Sequence, residues 1–248
     1  IEIIKKTSFK YILIENVPRS LKLFYPFRKN YHGIEYILNK LFANQYEIKV
    51  DVFDAKDFGV PQYRKRSIIR MYRKGLSWPE PKKSKKIITL KDSIGHLPSL
   101  ESGQDSGIKY HYAKKHNDRD VHALMHTSEG KSALLNKVHY PKRADGKRIS
   151  GFHNTYKRMS WNEPAKARTT NCGNIGSHNN VHPGKKLKNG TYSDARVLTL
   201  LETFIVSSIP QNIDLPDWAS DAFIRKMIGE AIPPLMCKKI LETIGSKS

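Results

Sequence analysis

The sequence predicts an α/β protein: part of an open sheet comes first, then a smaller, loop-rich domain with short strands, then a helical return. Three observations predict it. Residues 1–75 show strand, helix, strand and strand patterns in that order. Residues 74–86, "KGLSWPEPKKSKK", combine Gly, Pro and a lysine run as a linker does. From there to about residue 190 the chain is polar, rich in His, Gly and Asn, and weakly periodic. The expected units are therefore 1–75, 76–190 and 191–248.

Each element has its own reason. "FKYILIENV" at 9–17 reads as a buried strand that ends in polar residues, and "IEYILNKLFANQ" places Ile34, Ile37, Leu38 and Leu41 on one side of a helix. "YEIKVDVFDAKDFGV" reads as a second strand and a turn, and "RSIIRMYR" as the end of a third strand. Helical spacing returns at 196–207 and 221–244. The last helix begins within "IPPLMCKKILETI", where proline suits the first turn because its missing donor would be unpaired there.

Composition narrows the function. With 248 residues and 38% hydrophobic content the chain can bury at least one core. Its formal charge of +21 is uneven, +9 over 1–75, +13 over 76–190 and −1 over 191–248. Such a field predicts a polyanionic partner, most simply double-stranded DNA, held with strong salt dependence. No apolar run reaches membrane-spanning length and no basic amphipathic helix stands out, so no membrane role is expected. Two cysteines, Cys172 and Cys237, are too few for a disulfide framework or a zinc site and fit a reducing cytoplasm. "HYAKKH" and "VHALMH" are rich in histidine but lack cysteines or a close carboxylate at ligand spacing, and no metal is expected there.

The stretch "DFGVPQYRKRSIIR" at 57–70 carries the chemistry. On an extended backbone Gln62, Arg64 and Arg66 share one face, while Tyr63 and Lys65 take the other. An amide and two guanidinium forks in a row suit a planar, hydrogen-bonding, partly anionic ligand; an edge strand with a solvated charged face is the other reading. Glu15 and Asn16 lie where the first strand should stop, the end at which open α/β sheets bind ligands.

With "ENV" at 15–17 and "GVPQYRKR" at 59–66, the sequence resembles the sixth and eighth motifs of the DNA cytosine-5 methyltransferases. "SDARVLTLLE" at 193–202 is similar to the ninth motif and "IGEAIPP" at 228–234 to the tenth, with Glu230 where the family usually has Asn. Between them, "TYKRMSWNEPAKARTTN" and the "HP" at 182–183 resemble the end of a target-recognition domain. The resemblance implies the C-terminal half of a Rossmann-like, S-adenosylmethionine-dependent methyltransferase sheet, with 76–190 as the target-recognition domain and a closing helix in 191–248.

In that family a cysteine adds to C6 of a flipped-out cytosine, and C5 then takes a methyl group from S-adenosylmethionine. Flipping is needed because the reacting carbons are out of reach inside the stack. The resemblance makes Glu15 the partner of N3 and Arg66 that of O2, with Arg64 and Gln62 ordering the site and Asn16 fixing the backbone of Glu15. Glu230, Ala231 and Ile232 fall at the cofactor's edge, and Arg196 and Thr199 brace the recognition domain. Arg143, Lys147, Arg148, Lys157, Arg158 and Arg168 are expected at phosphate or guanine and Asn171, Asn174, His178, Asn179 and Asn180 at base edges, while Thr169 and Thr170, also expected on the DNA side, match the threonine usual in this part of the family's recognition domain.

The family's cofactor loop and Pro-Cys nucleophile precede "ENV" and have no counterpart here. Cys172 follows Asn and Cys237 follows Met, so both are expected to be structural. The chain is thus expected to need an upstream half, as a second subunit or a longer polypeptide, and to be inactive alone. Leu235, Met236, Ile240, Leu241 and Ile244 would then form a closing-helix face left partly exposed without that half. A bacterial restriction partner is compatible with this reading, and so is a different class of function, a non-enzymatic DNA-binding module or degenerate paralogue.

Overall fold

A computed structural model of the chain describes residues 1–245; residues 246–248, at the end of the expected closing segment, lie outside the described residues. Its main sheet has three strands, β1 (Tyr11–Asn16), β4 (Tyr46–Asp54) and β5 (Lys65–Arg73), in the order β1-β5-β4 with β5 antiparallel to both neighbours. The strand that follows Arg64 and contains Arg66 is thus the middle one among those described, not an edge. The edge-strand reading fails because β5 is apolar enough to be covered on both faces; Ile68 and Met71 are fully buried.

Period two sorts the faces. Ile12 and Ile14 of β1 and Ile69 and Met71 of β5 pack with Leu38 and Phe42 of helix α2 (Ile34–Phe42). Tyr11 and Leu13 of β1 and Ile68 and Tyr72 of β5 point the other way, toward Phe58, Trp78 and helix α7 (Pro234–Leu241). Glu15 and Arg66 continue the rows of this second face. A short helix α1 (Glu2–Lys6) and a hairpin of β2 (Phe24–Phe27) and β3 (Asn30–Gly33) add to the expected elements. The hairpin turn uses Arg28 at φ +57° where glycine or asparagine usually signals one, so its sequence is silent.

Helix α7 corrects one expectation. Met236 and Ile240 are completely buried within this chain, and Leu235 and Ile244 pack partly against the same cluster; only Leu241 remains substantially exposed. The indole Nε1 of Trp78, just beyond β5, donates to the Ile240 carbonyl at 3.0 Å. Trp78, together with Phe58, Val60 and Ile68, supplies the cover that a partner was expected to provide.

The polar middle region also differs from expectation. Among the described residues it has no strand, only isolated bridges such as Arg158 with Val181 and Thr155 with His178, together with helices α3 (Leu90–Ile94) and α4 (Asp118–Met125). Arginines replace strand ladders. The fully buried guanidinium of Arg158 donates to the carbonyls of Leu124, His182 and Asp194 at 2.9 to 3.3 Å, satisfying backbone that a sheet would otherwise pair. The expected boundary at 190 is crossed by shared cores. Ala195 and Val197 pack with Leu124 and Val181, and Leu198 and Val206 with Leu90 and Met159. Helices α5 (Leu200–Val206) and α6 (Asp221–Glu230) then pack through Leu200, Phe204, Ile224 and Ile228.

Candidate active site

Two strand ends build the centre of the site. Glu15, at the end of β1, and Arg66, at the start of β5, form an ion pair with Oε1 and Nε 2.6 Å apart. Arg66 Nη1 donates to the Lys65 carbonyl at 2.9 Å, while Arg66 Nη2 and Glu15 Oε2 have no hydrogen bond among the described residues. One carboxylate oxygen and one guanidinium nitrogen are therefore left for a ligand. Burial lowers the pKa of Arg66, and the adjacent Glu15 carboxylate opposes that shift. The exposed side chain of Asn16 accepts from the Val17 amide at 2.8 Å and so shapes the turn immediately after Glu15.

Gln62 and Arg64 precede β5 and connect the rest. The buried amide of Gln62 donates to Val206 O and Ser207 Oγ, both at 3.1 Å, and its oxygen accepts from the Arg168 amide at 3.3 Å. Arg64 donates to Arg168 O at 2.9 Å and to Gly229 O and Ala231 O at 2.7 Å. Burial, with Arg66 nearby, brings the pKa of Arg64 down to about 10, so the guanidinium stays charged at neutral pH. The backbone of Tyr63 bonds Ala165 O at 2.8 Å, and Ala165 N returns to Pro61 O at 2.9 Å. One short segment thus joins the end of α5, the strip 165–168 and the end of α6.

Around Glu202 lies the support. Thr199 and Glu202 form a capping box at the start of α5. Arg196 grips the Glu202 carboxylate with both terminal nitrogens, at 2.7 and 3.0 Å, and reaches Asp194 at 2.8 Å. Burial favours the neutral carboxyl of Glu202, but Arg196 and His182 outweigh it and hold its pKa well below the usual carboxylate range. His111 is buried 3.5 Å from Glu202, and His116 Nε2 accepts from the Val197 amide at 3.3 Å. The "HYAKKH" histidines therefore serve this support.

The expected DNA-facing residues divide by burial. Arg143 and Lys147 are exposed; Arg148 is exposed but stacks 4.3 Å from the Tyr140 ring centroid and donates to Leu134 O at 2.6 Å; Lys157 is half-buried. Arg158 and Arg168 depart from the expectation, since both are interior and offer a duplex no surface here. Arg168 spends its donors on Asn180 Oδ1, Asn179 O and Lys166 O. Asn180 is buried too and donates to Cys172 O and Asn174 O, so with Arg168 it ties the 171–180 loop into shape. His178 stays exposed.

Thr170, Asn171 and Asn174 line a cleft of about 360 Å³ with Lys114, Lys115 and Arg225. Thr169 sits partly buried beside them, in contact range of Gly229. Lys114 and Lys115 lie outside the expected set, because nothing in the sequence says which lysines will face this cleft. Glu230 and Ala231 are exposed and Ile232 is half-buried, with the Ala231 carbonyl occupied by Arg64. Cys172 is buried. Cys237 lies on α7, and burial together with the Glu15 carboxylate raises its thiol pKa, the opposite of what activates a nucleophile.

Comparison with known proteins gives the family and the fold. Residues 1–246 match the family described as C-5 cytosine-specific DNA methylase. The chain is 45% identical to the type II methyltransferase M1.HgaI of Avibacterium volantium over all of its own length and 69% of that protein. It is 27% identical to the type II methyltransferase M1.HphI of Haemophilus parahaemolyticus over 98% of this chain and 59% of that one. Among solved structures, a DNA modification methyltransferase encoded within an E. coli prophage superposes with a TM-score of 0.62 at 16% identity, covering 94% of this chain and 68% of the other. The methyltransferase EhMeth of Entamoeba histolytica superposes with a TM-score of 0.54 at 16% identity, covering 94% and 62%. At those identities the two superpositions speak for an α/β methyltransferase fold alone.

Proposed function

The chain belongs to the C-5 cytosine-specific DNA methylase family, and on that premise we propose that it supplies the base-facing and target-recognition portion of a type II enzyme that methylates cytosine at C5 in duplex DNA. The observation that carries this reading is the Glu15–Arg66 pair at 2.6 Å, which leaves one carboxylate oxygen and one guanidinium nitrogen without a hydrogen bond among the described residues.

When a thiolate adds to C6 of cytosine, an electron pair moves toward the N3 and O2 edge, leaving C5 nucleophilic. In its protonated form Glu15 passes its proton to N3 as charge builds there and is left as the carboxylate partner of Arg66, which stabilises the charge at O2. Arg66 is buried and Glu15 half-buried at their strand ends, and Gln62 and Arg64 keep the start of β5 aligned with the recognition loops. The base reaches them only when flipped out of the helix. Glu230, an exposed acceptor, and the apolar Ala231 and Ile232 fit the edge of an adenosyl group; S-adenosylmethionine, when bound, supplies the methyl group.

The thiolate itself comes from polypeptide outside these 248 residues, in the same chain or another. Cys172 is enclosed in the recognition loops and the thiol of Cys237 is disfavoured from ionising, which supports structural roles for both. Supplied with the polypeptide bearing the Pro-Cys thiol, the chain should transfer label from S-adenosylmethionine to C5. Glu15→Gln should slow transfer by about 10² or more, the scale of a lost acid–base group, while changing DNA affinity by only a few-fold. Equal losses of rate and affinity would reassign Glu15 to binding. Cys172→Ser and Cys237→Ser should each retain activity, and on DNA carrying 5-fluorocytosine the covalent adduct should map to neither. Tight DNA binding with no transfer under any of these conditions would leave a non-catalytic binding module instead.

A further inference from the structure

Helix α4 and the loop that follows it bring together three imidazoles the methyl transfer does not use. His122 and His126 lie one turn apart at the end of α4, so their side chains leave the same face. His139 arrives from the loop at 136–140 and completes the group: its ring centroid is 3.7 Å from that of His126 and 4.9 Å from that of His122. One ring nitrogen from each lies within 4.8 Å of the other two. Asp118, one turn before His122, lines the adjoining cleft with Tyr140.

The loop is held in place independently of the rings. The Asn136 side-chain nitrogen lies 2.8 Å from His139 O, 3.2 Å from Ala123 O and 2.9 Å from Thr127 Oγ1, which ties the His139 backbone to the last turn of α4. Arg148 donates to Asn136 O at 3.0 Å. The third ligand is thus positioned by scaffold hydrogen bonds. Binding an ion requires the His126 and His139 rings, stacked at 18° here, to turn until their in-plane nitrogen lone pairs converge, because zinc–nitrogen bonds of about 2.0–2.1 Å put tetrahedral ligand atoms roughly 3.3 Å apart.

We propose that His122, His126 and His139 form a site for a borderline divalent transition metal such as Zn²⁺ or Ni²⁺, with three imidazole ligands and a fourth position open to water. Imidazole is the preferred protein ligand for this class of ion, and three on a braced scaffold select it over Mg²⁺ or Ca²⁺, which require oxygen. The ion pins the loop carrying Lys142, Arg143 and Lys147 to α4, so its role is to stiffen the basic recognition surface. Sequence spacing hid the site because His139 belongs to neither of the histidine-rich stretches.

Calorimetric titration of the 248-residue chain with Zn²⁺, and separately with Ni²⁺, tests it. One equivalent should bind, and His122→Ala or His139→Ala should weaken that binding at least about tenfold, the scale set by losing one of three ligands, while the controls His96→Ala and His153→Ala leave it unchanged. Circular dichroism without metal should be the same for all variants, since His122 is exposed and His139 is anchored through its backbone. One equivalent of Zn²⁺ should also raise the melting temperature of the wild-type chain but not of His139→Ala. Binding that the His122 and His139 substitutions leave intact, or no stoichiometric binding, overturns the site.

Discussion

Arginine does several jobs in this protein, and burial separates them. Arg66 keeps a nitrogen open beside Glu15, Arg64 spends its terminal nitrogens on three carbonyls, and Arg196 is enclosed with two carboxylates. A guanidinium suits all three because its planar fork keeps its charge and can bond in several directions at once. Removing a partner from a buried ion pair strands the remaining charge, so Arg196→Met should destabilise the fold by about 3–5 kcal/mol, read from urea unfolding. A change below about 1 kcal/mol would show that Glu202 and Asp194 are not held as described. Alternation along "PQYRKR" was enough to predict that Gln62, Arg64 and Arg66 share an orientation. Their destinations were not legible, because the carbonyls that receive Arg64 come from residues 168, 229 and 231, and no local pattern marks an acceptor that remote.

Elements meet where side chains are absent as well as where they are large. A Cβ built on Gly229, in the last turn of α6, would lie 2.4 Å from Thr170 N and 2.5 Å from the Thr169 carbonyl carbon. The helix end therefore rests directly on the backbone of the recognition loop, and Arg64 clamps both. Gly229→Ala should force them apart and cost about 1–3 kcal/mol by overpacking, measured by urea unfolding, with faster proteolysis of the 165–175 loop. An unchanged unfolding midpoint would refute that close approach. The helix, its proline-rich sequel and the motif around it were readable from spacing and residue type. The need for glycine was not, since Gly229 is inside a helix and the constraint comes from a strip of chain far away in sequence.

Across the whole molecule the positive field and the fold divide the labour of binding. Exposed Arg143 and Lys147 are available to phosphate, while Arg158 and Arg168 are spent inside, on the carbonyls of Leu124, His182 and Asp194 and on the 166–180 segment. Affinity for duplex DNA should fall steeply with salt, and replacing Arg143 or Lys147 with glutamine should reduce the slope of log K against log salt by about 0.9 for each phosphate no longer neutralised. Arg158→Gln should instead lower the unfolding midpoint, and a slope unaffected by the Arg143 and Lys147 changes would move the DNA surface elsewhere. Hydrophobic period, net charge and short motifs are local properties of the chain, and they were sufficient for the three strands of the main sheet, helix α2, the helical return after residue 196, the charge excess and the family. Four features lay beyond them: the central place of β5, the cover that Trp78 gives α7, the division of arginines between interior and surface, and the meeting of His139 with His122 and His126. Each of those depends on segments distant in sequence, whose geometry is set by packing and by the pairing of buried polar groups.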